Sequence, residues 1–416
     1  MYEKTKLQEK RSWFFQDELF VWGIVLAPMT ALRVWKLGPG EILLSLWMLA
    51  TFFGSNPSTK YQSGTLAFSM IGKYQLFNIS MMTFGLIVNV ILYHVTVSIG
   101  PNVTSLLTHF FVFLVSSCMV IYFEERPIVE INNVIRKIVI RGAIIYSALL
   151  LYAMFFGTSL FGVKLWLGSR GYRFLGLALN PHQIGMITGP GLIFSFYLIG
   201  TIREWWKKSL YILLAGIWFW ISLSLRSDTL TISYVILVAM VLGLKLLKST
   251  DDPELRHRNN IVIIITIGIV FVVLLPRLWN RLVDFISGAG NGLGRIELWQ
   301  AGLGQFRDKP VCLFTGLGYD AGTGLFMKSG NEIEAHNTYV QQILSGGIFV
   351  FISYSLMLFQ LIKKPTEKNT WLVCLVMYFF LYGFGGNMNR RVLVWFTYTM
   401  VMILTEKTRN TEIADK

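Results

Sequence analysis

Apolar positions run almost without interruption through much of this chain. The stretches 261–276 and 348–362 hold nearly nothing polar, and other runs approach twenty residues without the alternation of a strand. Water cannot be the solvent of such segments. In hydrocarbon every backbone amide must be satisfied within the protein, which leaves helices or a closed barrel, and unalternating runs of this length select helices. The pattern predicts spans at 17–34, 39–55, 77–98, 102–122, 137–158, 183–201, 208–225, 229–247, 260–277, 337–362, 369–385 and 390–406. The expected fold is therefore all-α, a polytopic transmembrane helical bundle of about 12 spans. No internal repeat breaks it up, so 1–416 reads as a single membrane domain. Its expected parts outside the bilayer are a cytoplasmic N-terminus (1–16), an outer loop (159–182), a large outer loop carrying short helices (278–336) and a cytoplasmic C-terminus (407–416). No cleavage site of small residues follows the first apolar run, which is expected to stay as an anchor.

Composition agrees: 54% of residues are hydrophobic and 14% charged, where a soluble domain carries about 25% charged residues. The net charge of +14 is distributed unevenly. Lys4, Lys6, Lys10 and Arg11, then Arg136 and Lys137, Arg203, Lys207 and Lys208, Arg256 and Arg258, and Lys363 and Lys364 fall on one side if the span count is even. The excess of Lys and Arg in cytoplasmic loops then puts both termini in the cytoplasm. Cys118, Cys312 and Cys374 are too scattered for a disulfide framework. Neither a phosphate-binding Gly-rich loop nor a dinucleotide fingerprint is present, and no His, Asp or Cys pair has tight metal-ligand spacing. No metal, no cofactor and no nucleic-acid partner is expected, and any substrate should arrive already activated.

Several arginines defy the charge rule by landing on the outer face: Arg170, Arg173, Arg226, Arg277, Arg281, Arg295, Arg307, Arg390 and Arg391. Arg277 and Arg281 directly follow a span, where snorkelling to the interface explains them. Arg226 lies in Ser222-Leu-Ser-Leu-Arg-Ser-Asp228 with almost no loop around it, so it either pairs with Asp228 or marks a site. A guanidinium is a flat donor fork matched to phosphate oxygens, so a ring of outward arginines suits an anionic ligand such as a lipid pyrophosphate. Two outer segments accompany them. In the segment 168–185, glycines break the chain before Asn180-Pro181 caps and starts a span, with Arg173 and His182 on either side. The segment 277–337 is too long for an idle connector. Within it Ile296, Trp299, Leu303 and Phe306 recur at helical spacing, predicting a short interfacial helix with Trp299 at headgroup level, ended by Lys309-Pro310. Gly316-Leu-Gly318 makes another turn before Glu332, Glu334, His336 and Asn337. A histidine at that mouth, facing arginines, should stay neutral and could serve as general base.

These segments together resemble the O-antigen ligase and polymerase superfamily of bacterial membrane glycosyltransferases, with Wzy-type polymerases and WaaL-type ligases of a GT-C-like type. Arg173-Phe-Leu-Gly-Leu-Ala-Leu-Asn-Pro-His182 resembles its Arg-x-x-Gly…Asn-Pro-Asn element, and Ser222-Leu-Ser-Leu-Arg226 its Ser-x-Ser-Arg element. Arg295-Ile-Glu-Leu-Trp299 with Pro310 and Thr315-Gly-Leu-Gly318 resembles the Arg-x-x-x-Trp…Pro…Gly-x-Gly stretch, and Ala335-His-Asn-Thr-Tyr339 the closing His-Asn. The four stand in family order over roughly residues 170–345. His182 replaces the commoner Asn, and Leu225 and Ser227 replace the usual small neighbours of the arginine.

The resemblance implies a metal-independent, inverting transfer of glycan from a polyprenyl-pyrophosphate carrier to a hydroxyl, on the outer face of the bacterial cytoplasmic membrane. It casts Arg226 and Arg295 as stabilisers of the leaving pyrophosphate, Arg173 and Arg170 as further phosphate contacts, and His336 as the base. Glu332 and Glu334 are rival bases, and His182 and Asn337 are secondary candidates. The favoured expectation is a polymerase of O-antigen, capsular or exopolysaccharide repeat units, with both donor and acceptor lipid-linked. A ligase moving finished glycan to a separate acceptor uses the same residues. A flippase or transporter of polyprenyl-linked sugar is the alternative of another class, and predicts paired repeats and charges at the midplane. A chain-length regulator and a separate flippase are the partners a polymerase would have.

Overall fold

The computed structural model describes residues 2–33, 37–53, 69–95, 99–124, 126–168, 172–247, 279, 294–319, 321–325, 333–363 and 369–414. Its elements are α1 (Tyr2–Leu26), α2 (Pro39–Phe53), α3 (Met70–Tyr93), α4 (Ile99–Glu124), α5 (Ile128–Phe155), β1 (Ser159–Leu160), β2 (Val163–Lys164), β3 (Trp166–Leu167), β4 (Arg173–Phe174), α6 (Pro181–Thr201), α7 (Trp205–Ser224), α8 (Asp228–Leu247), α9 (Arg295–Asp308), α10 (Cys312–Thr315), α11 (Thr338–Lys363), α12 (Thr370–Tyr382) and α13 (Val392–Ala414). Among the described residues five helical stretches, Met70–Tyr93, Gly100–Glu124, Ile128–Phe155, Pro181–Thr201 and Thr338–Lys363, are long and apolar enough to cross a membrane. At about 1.5 Å per residue, each exceeds the ~30 Å hydrocarbon core. Shorter apolar helices cover Pro39–Phe53, Asp228–Leu242 and Thr370–Gly385. Apolar stripes face outward, as with Phe84, Ile87 and Ile91 on α3 or Ile352, Leu356 and Phe359 on α11. Such faces want lipid, and the chain is an all-α membrane protein.

Each expected span falls on a helix except 260–277, which lies outside the described residues. The boundaries differ at the ends. The polar N-terminus expected over 1–16 is helical from Tyr2, α1 stops at Leu26, and α13 runs on to Ala414 through the expected tail. Helix-forming Lys, Glu and Gln extend a helix beyond the bilayer at no cost in water, so hydropathy marks the membrane and not the helix end. The loop 159–182, expected on the outer side, contains two small hairpins that the helical reading did not anticipate. In one, Ser159 pairs with Lys164, and in the other Leu167 pairs with Arg173.

α6 is the hub. It packs on α5, α7, α12 and α13, and nearly every side chain from Gln183 to Leu198 is buried. Small residues let large aromatics approach its backbone. A Cβ on Gly189 would overlap the Tyr378 ring, and one on Gly191 would meet Trp218 at 2.5 Å. One end of the bundle is held by charge. Arg126 bonds Asp17 at 2.7 Å, and Lys137 and Arg141 grip Glu18.

α11 is broken near its start. Gly347 has φ +78, and the segment after α10 plugs the break. Leu317 N–H donates to Leu344 O (2.7 Å) and Gly318 N–H to Ser345 O (3.2 Å), so the carbonyls freed by the kink are satisfied. Asn89 and Ser105 side chains donate to Leu317 O (3.2 Å) and Tyr319 O (3.0 Å) from the facing helices.

Candidate functional site

The opposite end of the bundle from the Asp17 and Glu18 pairs gathers the sequence-predicted residues. Its parts are tied across helix ends: Ala31 N–H donates to Leu177 O at 3.0 Å, and Thr30 hydrogen-bonds Gln183. The second hairpin sets Arg173. Phe174 turns into the core beside Trp166, and Arg173 turns the other way, its Nε donating to Leu225 O at 3.3 Å. That carbonyl belongs to the three-residue turn between α7 and α8, so Arg173 and Arg226 are joined through one peptide.

Arg226 occupies the middle of that turn with φ +43, exposed. It forms no ion pair with Asp228 or with any other described residue. Instead Asp228, at the first position of α8, lies within electrostatic reach of Arg295. Arg295 opens α9, where Gly294 N–H donates to Glu297 Oε2 at 2.9 Å and holds the helix start. Burial holds the Arg295 guanidinium below its ordinary pKa, with Asp228 opposing and Arg173 adding to the effect. Arg295 thus has one carboxylate, Asp228, and one further guanidinium, Arg173, within electrostatic reach, an excess of positive charge suited to an anion.

His336 sits between two anchors. The Ala335 carbonyl accepts Trp299 Nε1–H at 3.0 Å, and Asn337 Oδ1 caps α11 by accepting Tyr339 N–H (2.9 Å) and Val340 N–H (3.1 Å). Meeting both demands puts His336 at φ +49. Left-handed backbone costs a non-glycine residue about 1–3 kcal/mol and persists where its surroundings dictate it. His94, Phe161, Arg226 and His336 are the described non-glycine residues with positive φ, so two of the four are site residues. The imidazole reaches the surface, yet the protein around it holds its pKa below the ordinary value. Burial is the main cause, Glu334 opposes it and Arg295 adds to it. Neutrality was expected from the arginines; desolvation contributes more.

His182 is fixed as anticipated: Pro181 starts α6 and Asn180 Oδ1 accepts His182 N–H at 2.9 Å. Its ring faces Tyr382. The Tyr382 hydroxyl donates to the His182 carbonyl (3.2 Å) and stands 3.1 Å from Nδ1. Arg173, Arg295 and His336 all lie within electrostatic reach of this ring, which brings the segments 168–185 and 277–337 together around it.

Glu334 forms an ion pair with Arg390. Arg391 lies within reach of Arg390, Glu334, Arg33 and Glu41 beside a cleft of about 770 Å³. Apolar Leu37, Leu107 and Phe111 share that cleft with these arginines. Arg170 and Glu332 lie outside the described residues. The interfacial helix forms as α9, but Leu298, Gly302 and Phe306 are its buried face while Ile296 and Leu303 stay exposed. Gly302 is the reason: it lets Leu344 of α11 approach to 3.0 Å of a Cβ position, rotating the helix from the expected stripe. Trp299 is a hydrogen-bond donor to the loop bearing His336. Among the described residues no group of three His, Cys, Asp or Glu could hold a metal ion. Sequence reasoning passed over Tyr382 and Arg33, which carry no motif and matter only through what folding puts beside them. No protein-family model matches the chain, and no curated protein matches it.

Proposed function

We propose that this protein transfers glycan from a polyprenyl-pyrophosphate carrier to a sugar hydroxyl at the arginine-rich end of the bundle, as a polymerase of lipid-linked repeat units. The observation that carries the reading is the meeting of Arg173, Arg295 and His336 around His182, with the Arg226 turn joined to Arg173 through the Leu225 carbonyl. Arg226, Arg295 and Arg173 would hold the pyrophosphate and take up the charge that grows on it as the C1–O bond breaks. His336, kept neutral, would accept the proton of the attacking hydroxyl, and displacement in one step inverts C1. The arginine-lined cleft with apolar walls fits the entry of a lipid phosphate from the side. About 12 spans, with both termini in the cytoplasm and this end outward, complete the proposed topology.

The test is purified protein in liposomes given a polyprenyl-pyrophosphate-linked repeat unit without nucleotide. A product ladder lost in Arg295→Ala and His336→Ala supports the reading. Glycan moved only to an added, separate acceptor makes the protein a ligase. Sugar that merely changes leaflet makes it a transporter.

A further inference from the structure

A second, smaller pocket of about 250 Å³ lies against the His336 loop. Glu334 forms part of its wall, with His109, Tyr319, Gln341, Asn387 and Asn389. His336 thus has both Arg295 and Glu334, a wall residue of this pocket, within electrostatic reach. The volume equals roughly eight waters at ~30 Å³ each and falls below the ~300 Å³ where sites for drug-sized ligands begin.

Its polar groups are costly for what they do within the protein. His109 stands in the middle of α4, 8% exposed, and its imidazole makes no hydrogen bond with a described residue; its neighbour is the Tyr319 ring at 6.2 Å between centroids. Gln341, 5% exposed, donates its amide to Ala321 O but leaves Oε1 buried without a partner. Asn389 accepts from Gln342 Nε2 at 2.6 Å, and that bond leaves its amide hydrogens for another acceptor. His109 and the amide hydrogens of Asn389 line this space without a hydrogen bond to a described residue, and polar groups so placed point to a ligand that satisfies them. Among the described residues the charges in the wall are Glu334 and Arg390, which neutralise each other as an ion pair. A neutral wall of donors and acceptors with an aromatic ring suits a polyol, whose hydroxyls each donate and accept.

We propose that this pocket binds one monosaccharide ring of the glycan, beside the reacting centre. The proposal rests on the glycan-transfer reading and names its sugar subsite: the ring sits on the Glu334 side of His336 and the pyrophosphate on the Arg295 side.

The test is saturation-transfer NMR on full-length protein in detergent with free glucose, galactose, N-acetylglucosamine and rhamnose. Gln341→Leu and His109→Phe are compared with the wild type, and farnesyl pyrophosphate binding is measured in parallel with Arg295→Ala. At least one sugar should bind the wild type and bind each variant at least tenfold more weakly. His109→Phe replaces a side chain without a hydrogen-bond partner among the described residues by an apolar one of similar size, so its thermal stability should hold or rise, which separates lost binding from lost fold. Gln341→Leu also removes the bond to Ala321 O and should lower thermal stability. No sugar binding to the wild type, or binding unchanged in both variants, overturns the proposal. Sugar binding without Arg295-dependent farnesyl pyrophosphate binding keeps the pocket and removes the transfer reading; the reverse removes the pocket alone.

Discussion

His336→Asn separates catalysis from structure at one position. His336 holds φ +49 because its neighbours, Ala335 and Asn337, are both committed to hydrogen bonds. Left-handed backbone costs an ordinary L-residue roughly 1–2 kcal/mol, and Asn tolerates it better than most. Removing the imidazole should therefore leave stability unchanged or raise it by up to about 1 kcal/mol. Loss of a positioned general base lowers a rate by about 10²- to 10⁴-fold, or ~2.7–5.4 kcal/mol of barrier at ~1.36 kcal/mol per decade. Ladder formation in liposomes measures the rate, and the apparent Tm in detergent measures the fold. Activity should collapse while Tm holds. Activity within tenfold of wild type would refute the base assignment. Activity and Tm lost together would make His336 a structural residue.

Arg295→Lys keeps the charge but loses the flat fork, so transfer should fall by about 10- to 100-fold, less than for Arg295→Ala; equal rates for Lys and Arg would argue against bidentate phosphate binding. Glu334→Gln breaks the pair with Arg390 but should leave transfer within about tenfold of wild type, whereas a loss on the ~10²–10⁴ scale would move the base role to Glu334. Because burial lowers the His336 pKa, the imidazole stays deprotonated below its ordinary value near 6.5. The rate should therefore survive to pH below ~6.5 and fail only as more acid conditions protonate it; an acid limb at or above that pH contradicts the assignment. Gly347→Ala adds a Cβ against the Phe314 carbonyl at a left-handed position and should destabilise by about 2–4 kcal/mol, seen as a lower apparent Tm.

The membrane helices were legible because burial in lipid writes itself as long apolar runs, and the cap at Asn180-Pro181 because its chemistry is local. The site arginines were legible for the opposite reason: they stand where hydropathy and charge rules disfavour them. What stayed hidden depends on contacts between distant segments. A pair with Asp228 was one of two readings for Arg226, two residues away, yet Asp228 lies within electrostatic reach of Arg295 instead. The two hairpins of 159–174 are built from strands of two residues, too short for any alternation to show. Gly302 turned α9 off its predicted stripe by admitting Leu344. His109 reads as a lone polar residue in an apolar helix, and only the pocket reveals its company.

The central claim is that the arginine and histidine group breaks a sugar–pyrophosphate bond. Its most direct test is to count polyprenyl pyrophosphate released against glycosidic bonds formed, in liposomes holding only this protein and the lipid-linked repeat unit. The account predicts one pyrophosphate released per bond, with both quantities lost in Arg295→Ala. Glycan that crosses the bilayer with its pyrophosphate link intact would contradict it.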